Sequence, residues 1–252
     1  MDKYNPAASA EDCRVLIFLE YLEVNMKKIS KKTWIIAISA VLLVGISVFL
    51  GIYLHQQQEI AEFYKMVQEY RNAKMEQYRK ENEAFSDYEV EVAFLGDSLT
   101  DGYDLAKYYP QYVTSNRGIG GDTTFDLEAR LQESVYDLKP QVLVMLIGAN
   151  NVDTMFENYE SILKGFQENL PETKVVLLSL TAMGGEHWGS KNQIAAYNNV
   201  TIKLLAGKYG YTFVDLYTPL YDVSIREVYD GYTVVKTISP MSDYVHVMMG
   251  RT

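Results

Sequence analysis

The sequence is short of the residues that most often carry chemistry: one cysteine and three histidines in 252 residues. A single cysteine, Cys13, excludes a disulfide framework and a cysteine-based zinc site. Any mechanism that needs an imidazole must draw on His55, His187 or His246. Positive charge is scarce too. The 23 Lys and Arg against 33 Asp and Glu leave a net charge of −10 at pH 7. The one basic block is a handful of lysines near residue 30, so the chain is a poor polyanion binder and nucleic acid is not its main partner. Apolar content, at 48% against 22% charged, is that of a folded protein and not of a disordered one.

Charge is missing altogether from residues 34–54, WIIAISAVLLVGISVFLGIYL. A helix of that length spans ~31 Å, close to the hydrocarbon thickness of a bilayer. A soluble core helix seldom runs so long without a polar face. The run is therefore read as a transmembrane helix that partners the lipid bilayer. Lys27, Lys28, Lys31 and Lys32 precede it, and the first charge beyond it is Glu59. The positive-inside rule puts residues 1–33 in the cytoplasm as a short tail and everything after Leu54 outside the cell membrane. The run is longer than a signal peptide's apolar region, and its exit, GIYLHQQQ, lacks a small-x-small cleavage pattern, which favours an uncleaved anchor. No cysteine follows it to carry a lipid.

Residues 55–85 contain neither Gly nor Pro and are rich in helix formers. Ile60, Phe63, Val67 and Tyr70 follow 3-4-3 spacing, but Lys74 and Gln77 break the heptad. The pattern predicts a helical stalk over 55–87 that acts as a spacer and not as a stable coiled coil. His55, at the membrane exit, reads as interfacial.

From residue 88 to 252 the pattern becomes that of a separate domain. Short runs recur at 90–96, 112–118, 141–148, 174–180 and 212–217, with helical stretches near 123–137, 155–169 and 190–208. Strands alternating with helices predict βαβ units in a three-layer α/β/α fold: five parallel strands in the order 2-1-3-4-5, apolar on both faces. Ligands in such sheets bind beyond the carboxyl ends of the strands. Those ends carry Gly96-Asp97-Ser98-Leu99-Thr100, then Asn116 to Thr124, then Gly148-Ala149-Asn150-Asn151. Near the C-terminus comes Ser242-Asp243-Tyr244-Val245-His246.

A serine hydroxyl needs a base to become a nucleophile, and histidine suits that task near neutral pH. Asp243, three residues before His246, is spaced to orient the imidazole. The backbone N–H groups of Ser98 and Gly121 and the side-chain amide of Asn150 could serve an oxyanion. Asp122 reads as a structural residue of the loop. His187, in GGEHWGSKN, either lines the pocket with Trp188 or is merely exposed. No motif implies a metal or a cofactor: RGIGGDTT lacks the spacing of a dinucleotide-binding loop.

GDSLTDG at 96–102, GGDTT at 120–124, GANN at 148–151 and DYVH at 243–246 resemble, in order, the four blocks of the SGNH (GDSL-type) hydrolases, over roughly residues 90–246. The resemblance implies a flavodoxin-like fold and ester hydrolysis through an acyl-enzyme. Ser98 would be the nucleophile, Gly121 and Asn150 would complete the oxyanion hole, and Asp243 and His246 would complete the triad. The pattern departs from the family at Asn151, where Asp is usual, and at Tyr244, where Gly is usual. A membrane-anchored extracellular serine esterase acting on small or glycan-linked esters is the expected function. An O-acetyltransferase, or a binding module on the same fold, is the alternative.

Overall fold

The computed structural model describes residues 14–21, 30–183, 189–224 and 227–228. The chain divides into two compact units, Met1–Val67 and Gln68–Thr252. A short helix α1 covers residues 14–21, and helix α2 covers Lys31–Ala84, with the division between units falling inside it. In the first unit, Ile35, Val41, Leu43 and Phe49 are all more than half exposed. This stretch of α2 is long and apolar enough to cross a membrane.

The second unit is built on one parallel sheet: β1 (Val92–Gly96), β2 (Thr114–Gly118), β3 (Val142–Leu146), β4 (Lys174–Leu178) and β5 (Thr212–Val214), ordered β2-β1-β3-β4-β5. This is the predicted order. Helices α3 (Ser98–Asp101), α4 (Leu105–Tyr108), α5 (Thr124–Glu128), α6 (Tyr159–Asn169) and α7 (Gly189–Tyr209) connect the strands. The sequence-predicted helix over 123–137 is realised as α5 followed by a π-helical turn, Gln132–Tyr136, closed by the Asp137 N–H on the Gln132 carbonyl. A two-stranded ribbon, β6 (Tyr221–Asp222) and β7 (Glu227–Val228), follows β5.

The core joins the sheet to its helices. Ala93, Leu95, Leu143, Met145, Val175 and Leu177 pack with Leu127, Val135, Ile162, Leu163 and Phe166. Burying each large aliphatic or aromatic side chain contributes about 1.5–3 kcal/mol. On the other face of β1, Phe94 meets Tyr109 with ring centroids 5.2 Å apart and Tyr103 at 6.0 Å.

Two features differ from expectation. Strand β2 is not apolar: its buried positions include Ser115 and Arg117. What covers them is the last part of α2, which belongs to this unit and is polar and aromatic there. Arg117 stacks over the Tyr78 ring at 4.7 Å, donates from Nε to Ser115 Oγ at 2.7 Å and lies 3.1 Å from Glu81. Ser115 Oγ in turn donates to Glu81 at 2.9 Å. Tyr78 is fully buried and donates its hydroxyl to the Gly118 carbonyl at 2.7 Å. The expectation places the stalk over 55–87 and the domain from 88, whereas the compact unit begins at Gln68. The 3-4-3 spacing at 60–70 continues into a docking face at 71–81, which a search for a self-associating heptad does not detect.

Candidate active site

The ladder aligns Gly96, Gly118 and Leu146 at one level across β2, β1 and β3. The segments that leave these three ends therefore meet on the same rim. The first enters α3 at once. Asp97 caps it by accepting the Leu99 N–H at 3.0 Å, which leaves Ser98 as the first helical residue, partly exposed. Helix α3 lies so close to β2 that a Cβ on Gly118 would fall 2.2 Å from the Asp101 nitrogen. Only glycine allows that approach. Asn116 holds the far end of α3, donating to the Thr100 carbonyl at 2.7 Å.

The second segment forms the loop at 118–123. Gly121 has φ of +85°, a backbone region that side chains disfavour, and this turns the chain back over the rim. A Cβ on Gly120 would sit 4.0 Å from Ser98 Cβ, so the loop passes directly beside the serine. The third segment is a 3-10 turn, Ala149–Asn151. Here Asn150 donates from Nδ2 to the Asp122 carbonyl at 2.8 Å. Asn151 accepts from the Thr124 N–H at 3.2 Å and donates to Thr124 Oγ1 at 2.9 Å. An amide at position 151 thus pins the third segment to the second in both hydrogen-bonding senses. Ser98, Gly121 and Asn150 come together on one rim; Asp243 and His246 lie outside the described residues, as does His187. His55 is in the first unit, exposed, 3.4 Å from Glu59.

Beneath the rim is a charge cluster that the sequence reading did not resolve. Asp122 is fully buried between Arg130, whose Nε donates to it at 2.7 Å, and Arg71 of α2. Arg130 also donates to the Arg117 carbonyl at 3.0 Å, to Ser134 Oγ at 2.8 Å and to the Gly96 carbonyl at 2.9 Å. One guanidinium therefore ties together the ends of β1 and β2 and the loop that follows β2. Burial pushes the Asp122 carboxyl up from its ordinary range, and Arg130 and then Arg71 pull it back. Burial likewise lowers the Arg117 guanidinium, against the opposing pull of Glu81. The structural reading of Asp122 fits this environment. Arg130, Arg71 and Lys74 were missed because nothing in their spacing marks charged helix residues as inward-facing. The need for a counter-charge becomes visible only once Asp122 is seen to be buried.

The arrangement puts a serine hydroxyl, a glycine-turned backbone and a carboxamide within one small region at the carboxyl end of a parallel sheet. That is the donor set for an acyl-transfer site. The comparisons with known proteins point the same way. A Bacillus subtilis relative named an uncharacterized lipoprotein is 35% identical over 100 residues, 33% of this chain and 41% of that protein, so the match spans less than half of the relative's length. A GDSL-like lipase from Bacteroides thetaiotaomicron superposes with a TM-score of 0.56 at 23% identity, over 70% of this chain and 93% of that one. A Streptococcus pneumonia structure, provisionally described as a platelet activating factor, gives 0.62 at 20% identity over 77% and 97%. At these identities the two structures establish the fold alone. Residues 94–234, more than half of the chain, match the model of the GDSL-like lipase/acylhydrolase family, and the chain belongs to that family.

Proposed function

We propose that the protein is a membrane-anchored serine ester hydrolase whose catalytic domain faces the outside of the cell. Ser98 Oγ attacks the ester carbonyl carbon while its proton passes to the imidazole of His246. The resulting oxyanion accepts hydrogen bonds from the Ser98 and Gly121 N–H groups and from Asn150 Nδ2. Expulsion of the alkoxide, protonated by the imidazolium, leaves an acyl-Ser98 ester that water hydrolyses by the same route in reverse. Asp243 orients the imidazole.

The observation that carries this reading is the placement of Gly120 beside Ser98, together with the Asn150 amide on the Asp122 carbonyl. Both contacts support the reading of Ser98, Gly121 and Asn150 as parts of a single site. The apolar stretch of α2, with lysines before it, supports an inside-to-outside anchor. Its position suits acyl esters of envelope glycans or lipids, the substrate class assigned here by location. The test is hydrolysis of a short-chain chromogenic ester by the full chain in detergent, with labelling by a fluorophosphonate. Ser98→Ala should abolish both; equal turnover by wild type and Ser98→Ala would refute the nucleophile. A wild-type chain that neither turns over nor labels would favour the binding-module alternative, and acetyl transfer to an added glycan would favour the transferase.

A further inference from the structure

The part of α2 that belongs to the catalytic unit contacts both walls of the site. Asp101, the last residue of α3, lies three residues after Ser98. Its Oδ2 accepts the Gly120 N–H at 3.1 Å and also the hydroxyl of Tyr70. Its Oδ1 lies 2.6 Å from Lys74 Nζ. One carboxylate therefore joins the serine's helix, the loop beside the serine and two residues of α2. One residue along from Tyr70, Arg71 pairs with Asp122, the buried acid at the far end of that loop, and reaches Asp126 at 3.6 Å. Tyr78 closes the set on the Gly118 carbonyl at the loop's start. The loop is thus held from α2 at its first residue, at its middle and at its last turn.

These contacts exceed what a spacer would need. The Gly120 N–H is oriented by an acceptor whose own position depends on Tyr70 and Lys74, and Gly121, the adjacent residue, carries the positive φ that turns the loop. An oxyanion donor is effective only when fixed before the reaction. We propose that Tyr70, Lys74 and Arg71 are positioning residues for the active site, acting through Asp101 and Asp122, so that the helix descending from the membrane anchor sets the geometry of the oxyanion loop. Burial, followed by the bond to Asp101, raises the Tyr70 hydroxyl above its ordinary value, so it stays a donor into the alkaline range. The inference rests on the esterase reading for its catalytic consequence but not for its structural one.

The test uses the full chain in detergent micelles and the double variant Lys74→Met/Tyr70→Phe, with Lys74→Arg as the conservative comparison. Hydrogen exchange is followed over residues 118–123 and over β1 and β3. Two lost hydrogen bonds to a charged group should speed exchange in the loop by about tenfold or more and leave the strands as in wild type. In parallel, kcat for p-nitrophenyl acetate should fall by about tenfold or more with KM nearly unchanged, and Lys74→Arg should recover most of it. Wild-type exchange in the loop, acceleration spread evenly over loop and strands, or faster loop exchange with wild-type kcat would each overturn the proposal. If the loop loosens as expected while wild type hydrolyses no ester, the positioning stands and the esterase reading fails.

Discussion

Replacing Arg130 by Met removes one guanidinium and five donors while keeping an unbranched apolar stem. In the structure that guanidinium serves Asp122, the carbonyls of Arg117 and Gly96, and Ser134. The variant leaves Asp122 fully buried with Arg71 as its remaining counter-charge and strips a donor from two strand-end carbonyls. Removing one partner of a buried ion pair costs about 3–5 kcal/mol. In a unit of this size each kcal/mol moves Tm by roughly 2–4 °C, so the melting point of the unit that carries the sheet should fall by about 6–20 °C. The pH dependence provides an internal check. Burial already raises the Asp122 carboxyl, and removing Arg130 leaves that burial less opposed. A carboxyl whose folded pKa lies above its unfolded value contributes stability below the unfolded pKa, and that contribution is lost as pH rises through the folded pKa. The deficit of Arg130→Met relative to wild type should therefore be largest at neutral pH and shrink on acidification toward pH ~4. Thermal unfolding of the full chain in detergent, followed by near-UV circular dichroism at several pH values, measures both. A Tm within about 2 °C of wild type at pH 7, or a deficit that grows in acid, would refute the idea that this cluster holds the rim together.

Asn150→Ala should lower kcat by about 10²–10³-fold with little change in melting, because among the described residues the side chain makes a single hydrogen bond; steady-state kinetics and calorimetry read the two separately. Gly118→Ala should destabilise by at least ~1–3 kcal/mol, since the new Cβ would meet the Asp101 backbone at 2.2 Å and neither wall can yield cheaply; chemical denaturation measures it. At alkaline pH, Tyr78 and Tyr159 stay protonated, because burial raises both above the ordinary 10.0. Stability from these groups is whole below pH 10 and is lost above it; absorbance at 295 nm should show tyrosines that ionise only as the fold is lost, and smooth titration of all of them with the fold intact would refute it. In sealed right-side-out vesicles, added protease should remove the catalytic unit and spare an N-terminal tag; the reverse pattern would overturn the orientation.

The strand order was legible because crossover physics leaves few choices once five short strands alternate with helices. The helices near 155–169 and 190–208 were legible from their length and periodicity, and α6 and α7 lie there. Strand β2 was harder. Its buried Ser115 and Arg117 look wrong for a core strand until Glu81 and Tyr78 are seen to receive them. The position of Ser98, Gly121 and Asn150 at the carboxyl end of the sheet was legible because each follows a strand end by only a few residues. Asn151 was noted as a departure, but its two bonds to Thr124 depend on a turn that the letters do not encode.

The sequence by itself determined what local chemistry and periodicity can determine: an uncharged helix of membrane length, a parallel α/β sheet and a glycine-lined serine at its rim. Tertiary structure decided which charges face inward. A buried Asp122 accepts any guanidinium that reaches it, and whether that is Arg130, eight residues on, or Arg71, from a distant helix, depends on how the chain packs. For the same reason only the folded chain could reveal that residues 68–84, which read as part of a helical spacer, belong to the unit that carries the sheet. A polar helix face looks the same in the sequence whether water or another polar surface satisfies it.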